Sequence, residues 1–291
     1  MRRDNVAAML VSVRERLGKA GIASAGLDAR LIVQHATQLS HEQLIADAQR
    51  PVTESESRSI ETMAVRRMAH EPVSRLVGER EFYGRTFHIN QHTFDPRPDT
   101  ETLVETALNL VRLNSCSGQG WRIGELGTGS GAIIVTLLAE LPGAMSMAGD
   151  MSAEALAIAG ENALRHKVAN RVELVNGSWF EDFTGSFDMI VSNPPYIAEG
   201  DMAALAPEVR LYDPAKALNG GPDGLKAYRQ IAKDAGGFLR IGGYCCVEIG
   251  SGQEEKVTNI MLDGRLRLPC KVPRISPDLS GITRVLTFES D

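Results

Sequence analysis

Alternating strand-like and helix-like segments from Trp121 onward limit the possible fold more than any other feature of this sequence. Short apolar runs of the kind found in buried strands are separated by longer segments with apolar residues at helical spacing. This alternation predicts a doubly wound α/β sheet. The predicted strands are 121–126, 144–149, 172–175, 187–192 and 244–249, with two late strands, 267–272 and 283–288, expected to close the sheet as an antiparallel hairpin. The predicted helices include 131–140, a segment after Ser152, 225–239 and 253–262.

The first 73 residues show a different pattern, which predicts a small bundle of short amphipathic helices. Apolar residues recur at helical spacing at Val6, Leu10, Val13 and Leu17, and again over 27–36. Ser40 is a candidate N-cap for a third helix, and Thr53 with Glu56 forms a candidate capping box for a fourth. Such a bundle either stabilises the protein or docks a macromolecular substrate, and the sequence favours neither.

Residues 74–95 are predicted to form a β-hairpin that links the bundle, 1–73, to a large domain, 96–291. Its predicted strands are 75–77 and 86–89. A proline-rich segment, 95–101, follows, and its two prolines favour an extended backbone. Asp99 or Thr100 is a candidate cap for the next helix, while Arg97 is interpreted as part of a surface linker.

Composition excludes several classes of protein. The formal net charge of −6 over 291 residues argues against a broad electrostatic grip on nucleic acid. No apolar run approaches the ~20 residues that a membrane-spanning helix needs. The four cysteines contain no C-x-x-C pair, so we expect neither a zinc site nor a redox site. We therefore expect a cytoplasmic protein without metal. We also expect a monomer.

A glycine-rich turn, 125–132, lies between the first predicted strand and helix of the large domain. Gly127, Gly129 and Ala132 match the pattern G-x-G-x-x-(G/A), in which glycines permit a tight turn and close approach of a ligand. Asp150 ends the next strand about 20 residues on, where an acid binds ribose hydroxyls. Together these features predict a cofactor that contains a nucleoside.

The acid before the glycines indicates which cofactor. Glu125 would repel the pyrophosphate of a dinucleotide, but it could pair with the ammonium group of a methionine moiety. This favours S-adenosylmethionine over NAD. Trp179, after the third strand, either stacks on adenine or packs in the ordinary way.

The tetrapeptide Asn193-Pro194-Pro195-Tyr196 follows the strand at 187–192. Prolines cannot donate to a ladder and fix their own φ angles, so nearby carbonyl groups are free to face a ligand. Asn193 adds a side-chain carbonyl and Tyr196 adds a flat apolar face. This arrangement suits a planar group that carries an NH2, which is either a side-chain amide or an adenine edge.

The combination of these motifs resembles a known family, the methyltransferases that modify the glutamine amide of peptide chain release factors. The resemblance covers nearly the whole chain and is carried by these segments: 27–30, 77–84, 96–101, 125–132, 150–152, 192–197, 220–225 and 278–281. The Pro-Arg-Pro-Asp-Thr-Glu run at 96–101 and the Gly-Gly-Pro-Asp-Gly-Leu run at 220–225 discriminate best. Two departures are mild: Glu125 stands where the family often has Asp, and 211–214 differs from the expected Tyr-Glu-Pro pattern, so that loop is assigned no role.

The resemblance implies a class I S-adenosylmethionine-dependent methyltransferase domain, Rossmann-like, with an N-terminal helical bundle. It implies that the cofactor contacts Gly127, Thr128, Gly129, Ser130, Gly131, Asp150, Trp179 and Asn193, to which the charge argument adds Glu125. It also implies that Asn193, Pro194, Pro195 and Tyr196 hold the glutamine of a Gly-Gly-Gln loop in class 1 release factors.

Three of these residues are predicted to be catalytic. The Asn193 side-chain carbonyl and the Pro194 backbone carbonyl are expected to accept the two hydrogens of the glutamine amide, and Tyr196 is expected to fix the plane of that amide. The competing interpretations are a glutamine methyltransferase that acts on a ribosomal protein, a methylase of the adenine amino group in DNA or RNA, and a binding module that keeps the fold without catalysis.

Overall fold

A computed structural model describes residues 5–114, 118–263 and 273–290 of the chain. The helices, in chain order, are α1 Val6–Lys19, α2 Ala25–Thr37, α3 His41–Ala46, α4 Glu54–Met68, α5 Val73–Val77, α6 Glu101–Asn114, α7 Ala132–Glu140, α8 Ala153–Arg165, α9 Pro207–Tyr212, α10 Ala215–Leu218, α11 Lys226–Phe238 and α12 Glu254–Leu262. The strands are β1 Glu79–Phe82, β2 Arg85–His88, β3 Arg122–Leu126, β4 Met145–Asp150, β5 Val172–Asn176, β6 Phe187–Ser192, β7 Leu239–Glu248, β8 Arg274–Pro277 and β9 Thr283–Glu289.

The described residues divide into two compact units. The first contains the residues up to Glu79 together with Ala206–Tyr212, and the second contains Arg80–Leu205 and the residues from Asp213 onward. The segment 206–212 therefore groups with the N-terminal helices, although the sequence pattern places it within the large domain. No helix among the residues described here is both long and apolar enough to cross a membrane.

The first unit is a bundle whose helices begin where the capping residues predict. Ser40 accepts a hydrogen bond from the Gln43 backbone at 3.2 Å, and Thr53 accepts one from Glu56 at 3.2 Å, each as part of a complete capping box. The strand predicted at 75–77 is wrong, because these residues belong to α5. Pro72 caps the start of this helix, and Gly78 ends it in the left-handed conformation.

A buried cation holds the segment 206–212 in the first unit. The guanidinium of Arg67 donates to Asp28 at 2.7 Å and to Glu208 at 2.5 Å, and its side chain is almost fully buried. The hydroxyl of Tyr212 also donates to the Ala69 carbonyl at 2.9 Å. Two carboxylates around one buried guanidinium satisfy its charge, as a buried ion requires.

The second unit contains the hairpin β1–β2 and a seven-stranded sheet of order β5-β4-β3-β6-β7-β9-β8. The five strands β3 to β7 pair in parallel, whereas β9 is antiparallel to both β7 and β8. The doubly wound sheet and the antiparallel strand at 283–288 are thus confirmed. The partner of β9 is β8, and the predicted strand 267–272 lies outside the described residues.

Helices cover both faces of this sheet. One core cluster packs α6 and α7 against one face, and a second packs α11 and α12 against the other. Cys245 and Cys246 are adjacent in β7 and belong to different core clusters, because neighbouring side chains of a strand point to opposite faces of the sheet. The hairpin packs on α8, where Asn162 donates to the His88 carbonyl at 2.9 Å and accepts from the His88 backbone at 2.7 Å.

The strand order places the two predicted motifs side by side. The chain runs outward from β3 through β4 to β5, then returns to β6 on the other side of β3. This reversal is a topological switch point, beside which ligands bind at the carboxyl ends of the strands. Leu126 pairs with Ser192, so the glycine turn after β3 and the Asn-Pro-Pro-Tyr segment after β6 start at the same sheet edge.

Candidate active site

The glycine turn after β3 is hydrogen-bonded to β4 on one side and has free space on its other side. The Gly127 and Thr128 amides donate to the Gly149 carbonyl at 2.9 and 3.0 Å. Gly127 and Gly129 have φ angles of +73° and +56°, and a Cβ at either position would meet nothing within 4 Å. Gly131 differs, since a Cβ there would lie 3.2 Å from Ala159 on α8. The first two glycines thus leave an open backbone surface that fits a ligand, and the third permits close helix packing.

Asp150 lies at the end of β4 and contacts this turn directly. One carboxylate oxygen accepts from the Gly129 amide at 2.8 Å, and the other accepts from the Ser152 amide at 2.9 Å. A carboxylate has about four acceptor positions, so two hydrogen bonds leave capacity for the hydroxyls of a ribose.

Glu125 is a buried acid, and one of its two carboxyl oxygens lacks a hydrogen-bond partner among the described residues. Its side chain is 0% exposed, and the Thr128 hydroxyl donates to one carboxylate oxygen, Oε2. The other oxygen, Oε1, has no hydrogen-bond partner among the described residues. Burial raises the pKa of Glu125 to about 8, against the opposing effect of the Thr128 hydrogen bond. A cationic group at Oε1 would supply the missing partner, so this acid fits the ammonium end of a ligand.

Replacing Glu125 by glutamine should change how stability depends on pH. The folded carboxyl, with a pKa of about 8, keeps a proton that the unfolded chain releases near 4.5, so wild-type stability falls as pH rises from about 5 to about 8. Glutamine does not titrate, so the variant should become more stable relative to wild type across this window. Urea unfolding at pH 5.5, 7 and 8.5 measures the difference.

The same substitution at Glu255, which is exposed on α12, is the matched control. Glu248 has a raised pKa as well, but it is present in all three proteins and cancels in the comparison. A stability difference between the Glu125 variant and wild type that stays flat from pH 5.5 to 8.5 would contradict the assignment of a neutral, buried carboxyl.

Asn193 is held with its carbonyl oxygen available. Its side-chain NH2 donates to the Thr100 hydroxyl at 3.1 Å, and Thr100 itself is only 3% exposed. Since the nitrogen is committed to Thr100, Oδ1 remains as an acceptor. Among the residues that the structure describes, none donates to the backbone carbonyl of Pro194. The two predicted acceptors therefore follow each other at the carboxyl end of β6.

Tyr196 is partly buried against the second core cluster, and hydrogen bonds hold the backbone on either side of it in place. The Gln253 side chain donates to the Tyr196 carbonyl at 3.0 Å, and Ile197 exchanges backbone hydrogen bonds with Leu218 and Gly220 at 3.0 and 2.8 Å. Burial raises the pKa of the Tyr196 hydroxyl to about 12, and the nearby charge of Glu248 adds to this effect. The ring is thus held in place with a neutral hydroxyl.

The Gly-Gly-Pro-Asp-Gly-Leu run has glycine at 220 and 224, two positions where a side chain would clash with neighbouring backbone. A Cβ on Gly220 would lie 2.8 Å from the Pro195 carbonyl oxygen, and a Cβ on Gly224, at φ +74°, would clash with the Tyr196 carbonyl oxygen. Only residues without a side chain permit this close approach of two backbone segments. The run therefore supports the Asn-Pro-Pro-Tyr turn from behind.

The Gly224→Ala substitution should destabilise the protein. It introduces both a strained φ angle and a clash with backbone, which together should lower the free energy of unfolding by about 2–4 kcal/mol. Gly200→Ala is the control, since its Cβ would meet nothing within 4 Å. Urea denaturation of both variants measures the contrast, and equal stability of the two would show that the Gly224 contact is not a constraint.

Several residues at this edge are not identified by the sequence pattern. Thr100 is expected only as a helix cap, yet its hydroxyl contacts Asn193. The surface-linker interpretation of Arg97 is wrong, because its guanidinium donates to the buried Asp213 at 2.5 Å and lies 5.1 Å from the centre of the Phe94 ring. Asp213 lies in the loop to which no role is assigned.

Trp179 remains a predicted contact for adenine. It follows β5 at the same sheet edge, is partly buried against the second core cluster, and has a φ angle of +54°. A bulky residue in this left-handed region is uncommon and is often found where a ligand binds. The packing observed is compatible with both interpretations of this residue.

Comparisons with known proteins agree with this fold. Residues 105–221 match the methyltransferase small domain family. A solved structure, the hMettl16 catalytic domain in complex with an RNA hairpin, superposes with a TM-score of 0.54 at 16% identity over 81% of this chain and 82% of that one, which shows a shared fold. The chain thus has the fold of a class I methyltransferase.

More similar relatives define the family. A release factor glutamine methyltransferase from Agrobacterium fabrum is 44% identical over 97% of this chain and 96% of its own length. One from Cereibacter sphaeroides is 43% identical over 94% of each chain. Residues 8–78 match the PrmC N-terminal domain. This chain belongs to the release factor glutamine methyltransferase family.

Proposed function

We propose that this enzyme transfers a methyl group from S-adenosylmethionine to the side-chain amide nitrogen of the glutamine in the Gly-Gly-Gln motif of class 1 peptide chain release factors. The observation that carries the proposal is the Asn193 side chain, whose nitrogen is bound to Thr100 and whose oxygen stays available beside the glycine turn. The names of the two relatives support the same substrate. The reaction is proposed for the cytoplasm, with the enzyme as a monomer.

The cofactor would be held by residues at the carboxyl ends of β3, β4, β5 and β6. We assign Glu125 to its ammonium group, Asp150 to its ribose and Trp179 to its adenine. The open backbone from Gly127 to Gly131, with Thr128 and Ser130, would lie along it, and Asn193 would contact its reactive end. When bound, S-adenosylmethionine would supply a methyl group on a positively charged sulfur, and cleavage of that carbon–sulfur bond would leave neutral S-adenosylhomocysteine.

The residues of the Asn-Pro-Pro-Tyr turn would act on the substrate amide. An amide nitrogen is a weak nucleophile because its lone pair is delocalised into the carbonyl group. As that lone pair forms a new bond, the nitrogen and its hydrogens become more positive. The Asn193 Oδ1 atom and the Pro194 carbonyl oxygen would accept these two hydrogens and stabilise the charge as it develops, which lowers the barrier.

The other two members of the turn would fix the geometry of the substrate. Tyr196 is held from behind by Gln253 and Gly224, and its ring would pack against the plane of the glutamine amide. Pro195 limits the backbone freedom between the acceptors and the ring. The excess proton on the methylated nitrogen would leave to water.

The helical first unit is proposed to dock the release factor. A single glutamine side chain offers little surface, so recognition of a whole protein needs contacts away from the reacting group. The bundle is a separate compact unit with its own core, as a docking domain requires. Its alternative role is to stabilise the enzyme.

Mass spectrometry tests the proposed reaction. A class 1 release factor incubated with the enzyme and S-adenosylmethionine should yield a Gly-Gly-Gln peptide that is heavier by one methyl group, with fragmentation placing it on the glutamine. A release factor with Glu in place of that glutamine is the control and should gain nothing. Methyl transfer to ribosomal protein or nucleic acid, offered in parallel, without transfer to the release factor would overturn the proposal.

A further inference from the structure

Thr100, whose hydroxyl contacts Asn193, lies in the segment 97–100, which has little regular structure of its own. The segment belongs to no strand of the sheet and contains one short helical turn, Pro98–Thr100. In this turn the Thr100 amide donates to the Arg97 carbonyl at 3.1 Å. Since strand pairing does not fix where Thr100 lies, the contacts of the side chains in this segment have a large part in deciding it.

Arg97 attaches the first end of the segment to a buried acid. Its guanidinium donates to Asp213 at 2.5 Å, and the side chain of Asp213 is 0% exposed. The same guanidinium lies 5.1 Å from the centre of the Phe94 ring. A hydrogen bond between two charged groups is stronger than one between neutral groups, so this pair restricts movement of the backbone at Arg97.

Asp99 attaches the other end of the segment to the sheet. Its carboxylate lies 2.8 Å from a terminal nitrogen of Arg284, on β9. Arg284 is itself fixed, because its Nε donates to Asp278 at 2.8 Å and its backbone carbonyl accepts from the Ile249 amide at 2.8 Å. Asp278 in turn accepts from two backbone amides of the turn 280–282, at 2.8 and 3.0 Å. Asp99 is thus bound to a well-connected point beside the carboxyl end of β7.

We propose that Arg97 and Asp99 are positioning residues, whose two ion pairs fix Thr100 so that its hydroxyl holds the side-chain amide of Asn193. Asp99 precedes Thr100 directly in the chain, and Arg97 lies three residues before it. Prolines at 96 and 98 limit the freedom of the backbone, so few contacts are enough to locate it. The inference rests on the proposed function, because it assumes that Asn193 accepts from the substrate amide.

The hydrogen bond that these ion pairs protect has little tolerance for movement. The Asn193 NH2 donates to the Thr100 hydroxyl at 3.1 Å, close to the long end of the usual range for such bonds. A shift of Thr100 by about 0.5 Å would break it. The amide of Asn193 would then rotate, and its Oδ1 atom would face the substrate for only part of the time, which lowers the rate.

The first test removes the carboxylate of Asp99. Its side chain is 49% exposed, and Arg284 keeps its pair with Asp278 when Asp99 is lost, so Asp99→Ala should fold. Its kcat for release factor methylation should fall by about five- to tenfold, while KM for S-adenosylmethionine stays unchanged. Asp99→Asn keeps an oxygen that can accept from Arg284 and should recover much of kcat. A kcat for Asp99→Ala within about twofold of wild type would overturn the proposal.

Glu289→Ala is the matched control for this test. Glu289 lies at the other end of β9, is partly exposed, and pairs with Arg274 at 3.2 Å. Its loss should cost as little stability as the loss of Asp99, which thermal unfolding measures, and should leave kcat at the wild-type value. An equal fall of kcat in Glu289→Ala and Asp99→Ala would show a general effect of lost ion pairs, and the positioning role would be wrong.

The second test combines Asp99→Ala with Asn193→Ala. Because Asp99 would act through Asn193, the double variant should transfer methyl groups no more slowly than Asn193→Ala alone, within about twofold. Single-turnover transfer at saturating cofactor measures these low rates. If the two losses multiply instead, Asp99 acts by a route that does not involve Asn193, and the proposal fails.

A measurement without turnover separates this inference from the proposed function. The side-chain NH2 signals of Asn193 in ¹⁵N-labelled protein, identified by their loss in Asn193→Ala, should shift and exchange faster with water in Asp99→Ala, and should stay unchanged in Glu289→Ala. If wild type methylates no release factor yet the signals respond in this way, the proposed function fails and the positioning role stands. If turnover is normal and Asp99→Ala leaves the signals unchanged, the positioning role fails alone.

Discussion

Replacing Asn193 by alanine should reduce methylation of a release factor by about 100-fold or more, which is typical for the loss of one preorganised acceptor. The physical reason is that Oδ1 would meet charge that appears on the substrate amide only as the new bond forms. Its loss therefore raises the barrier more than it weakens binding of the ground state. Single-turnover transfer from labelled S-adenosylmethionine, at saturating cofactor, measures this step directly.

Two comparisons make the Asn193 result specific. Asn259→Ala, on the exposed face of α12, is the matched control and should keep wild-type turnover. Thermal unfolding should show that Asn193→Ala is folded, since the substitution removes a single side-chain hydrogen bond within the described chain, the one from Asn193 to Thr100. Undiminished turnover by a folded Asn193→Ala protein would remove the acceptor mechanism, even if the methylated product were correct.

Local signals explain why much of the fold could be predicted from the sequence. The capping boxes at Ser40 and Thr53 lie within three residues of the groups they bind, and the strand–helix alternation from 121 onward depends on local periodicity. Where local signals compete, prediction fails. The segment 75–77 is apolar and strand-like, but Pro72 and Gly78 on either side start and end a helix.

Some residues of the candidate site could also be predicted from local sequence, and others could not. Gly127, Asp150 and Asn193 could be identified because each is a chemically distinctive residue at the end of a predicted strand. Thr100 and Gln253 could not, because their partners are 93 and 57 residues away in the chain. Glu248 lies inside the predicted strand 244–249, and the position of this buried acid next to the residues that lead into the Asn-Pro-Pro-Tyr turn becomes visible only when β6 and β7 are paired.

The pair of Arg97 and Asp213 shows the same limit. The two residues are 116 positions apart, and each lies in a segment that looks like an irregular loop. Their contact joins the segment before α6 to the segment after α9, and both segments belong to the second unit. The Pro-Arg-Pro-Asp-Thr-Glu run, whose residue pattern carries the family resemblance, thus contributes Arg97 to one long-range contact and Thr100 to another.

Asp150→Ala should weaken binding of S-adenosylmethionine by about 100-fold, because a hydrogen bond to a charged group contributes about 1.5–3 kcal/mol and a ribose offers two hydroxyls. The substitution also removes the acceptor for the Gly129 amide, which would loosen the glycine turn. Isothermal titration calorimetry with the ligand alone measures the affinity without any need for a protein substrate.

Asp150→Asn separates the two effects of the alanine substitution. It keeps one oxygen that can accept from Gly129 but loses the charge and half of the acceptors, so its affinity should fall between those of wild type and Asp150→Ala. At saturating cofactor both variants should recover most of the wild-type turnover, whereas Asn193→Ala should not, because Asp150 would bind the donor and Asn193 would act on the acceptor. Unchanged affinity in Asp150→Ala would show that the ribose lies elsewhere, and a turnover defect that saturating cofactor does not relieve would place Asp150 in the reaction itself.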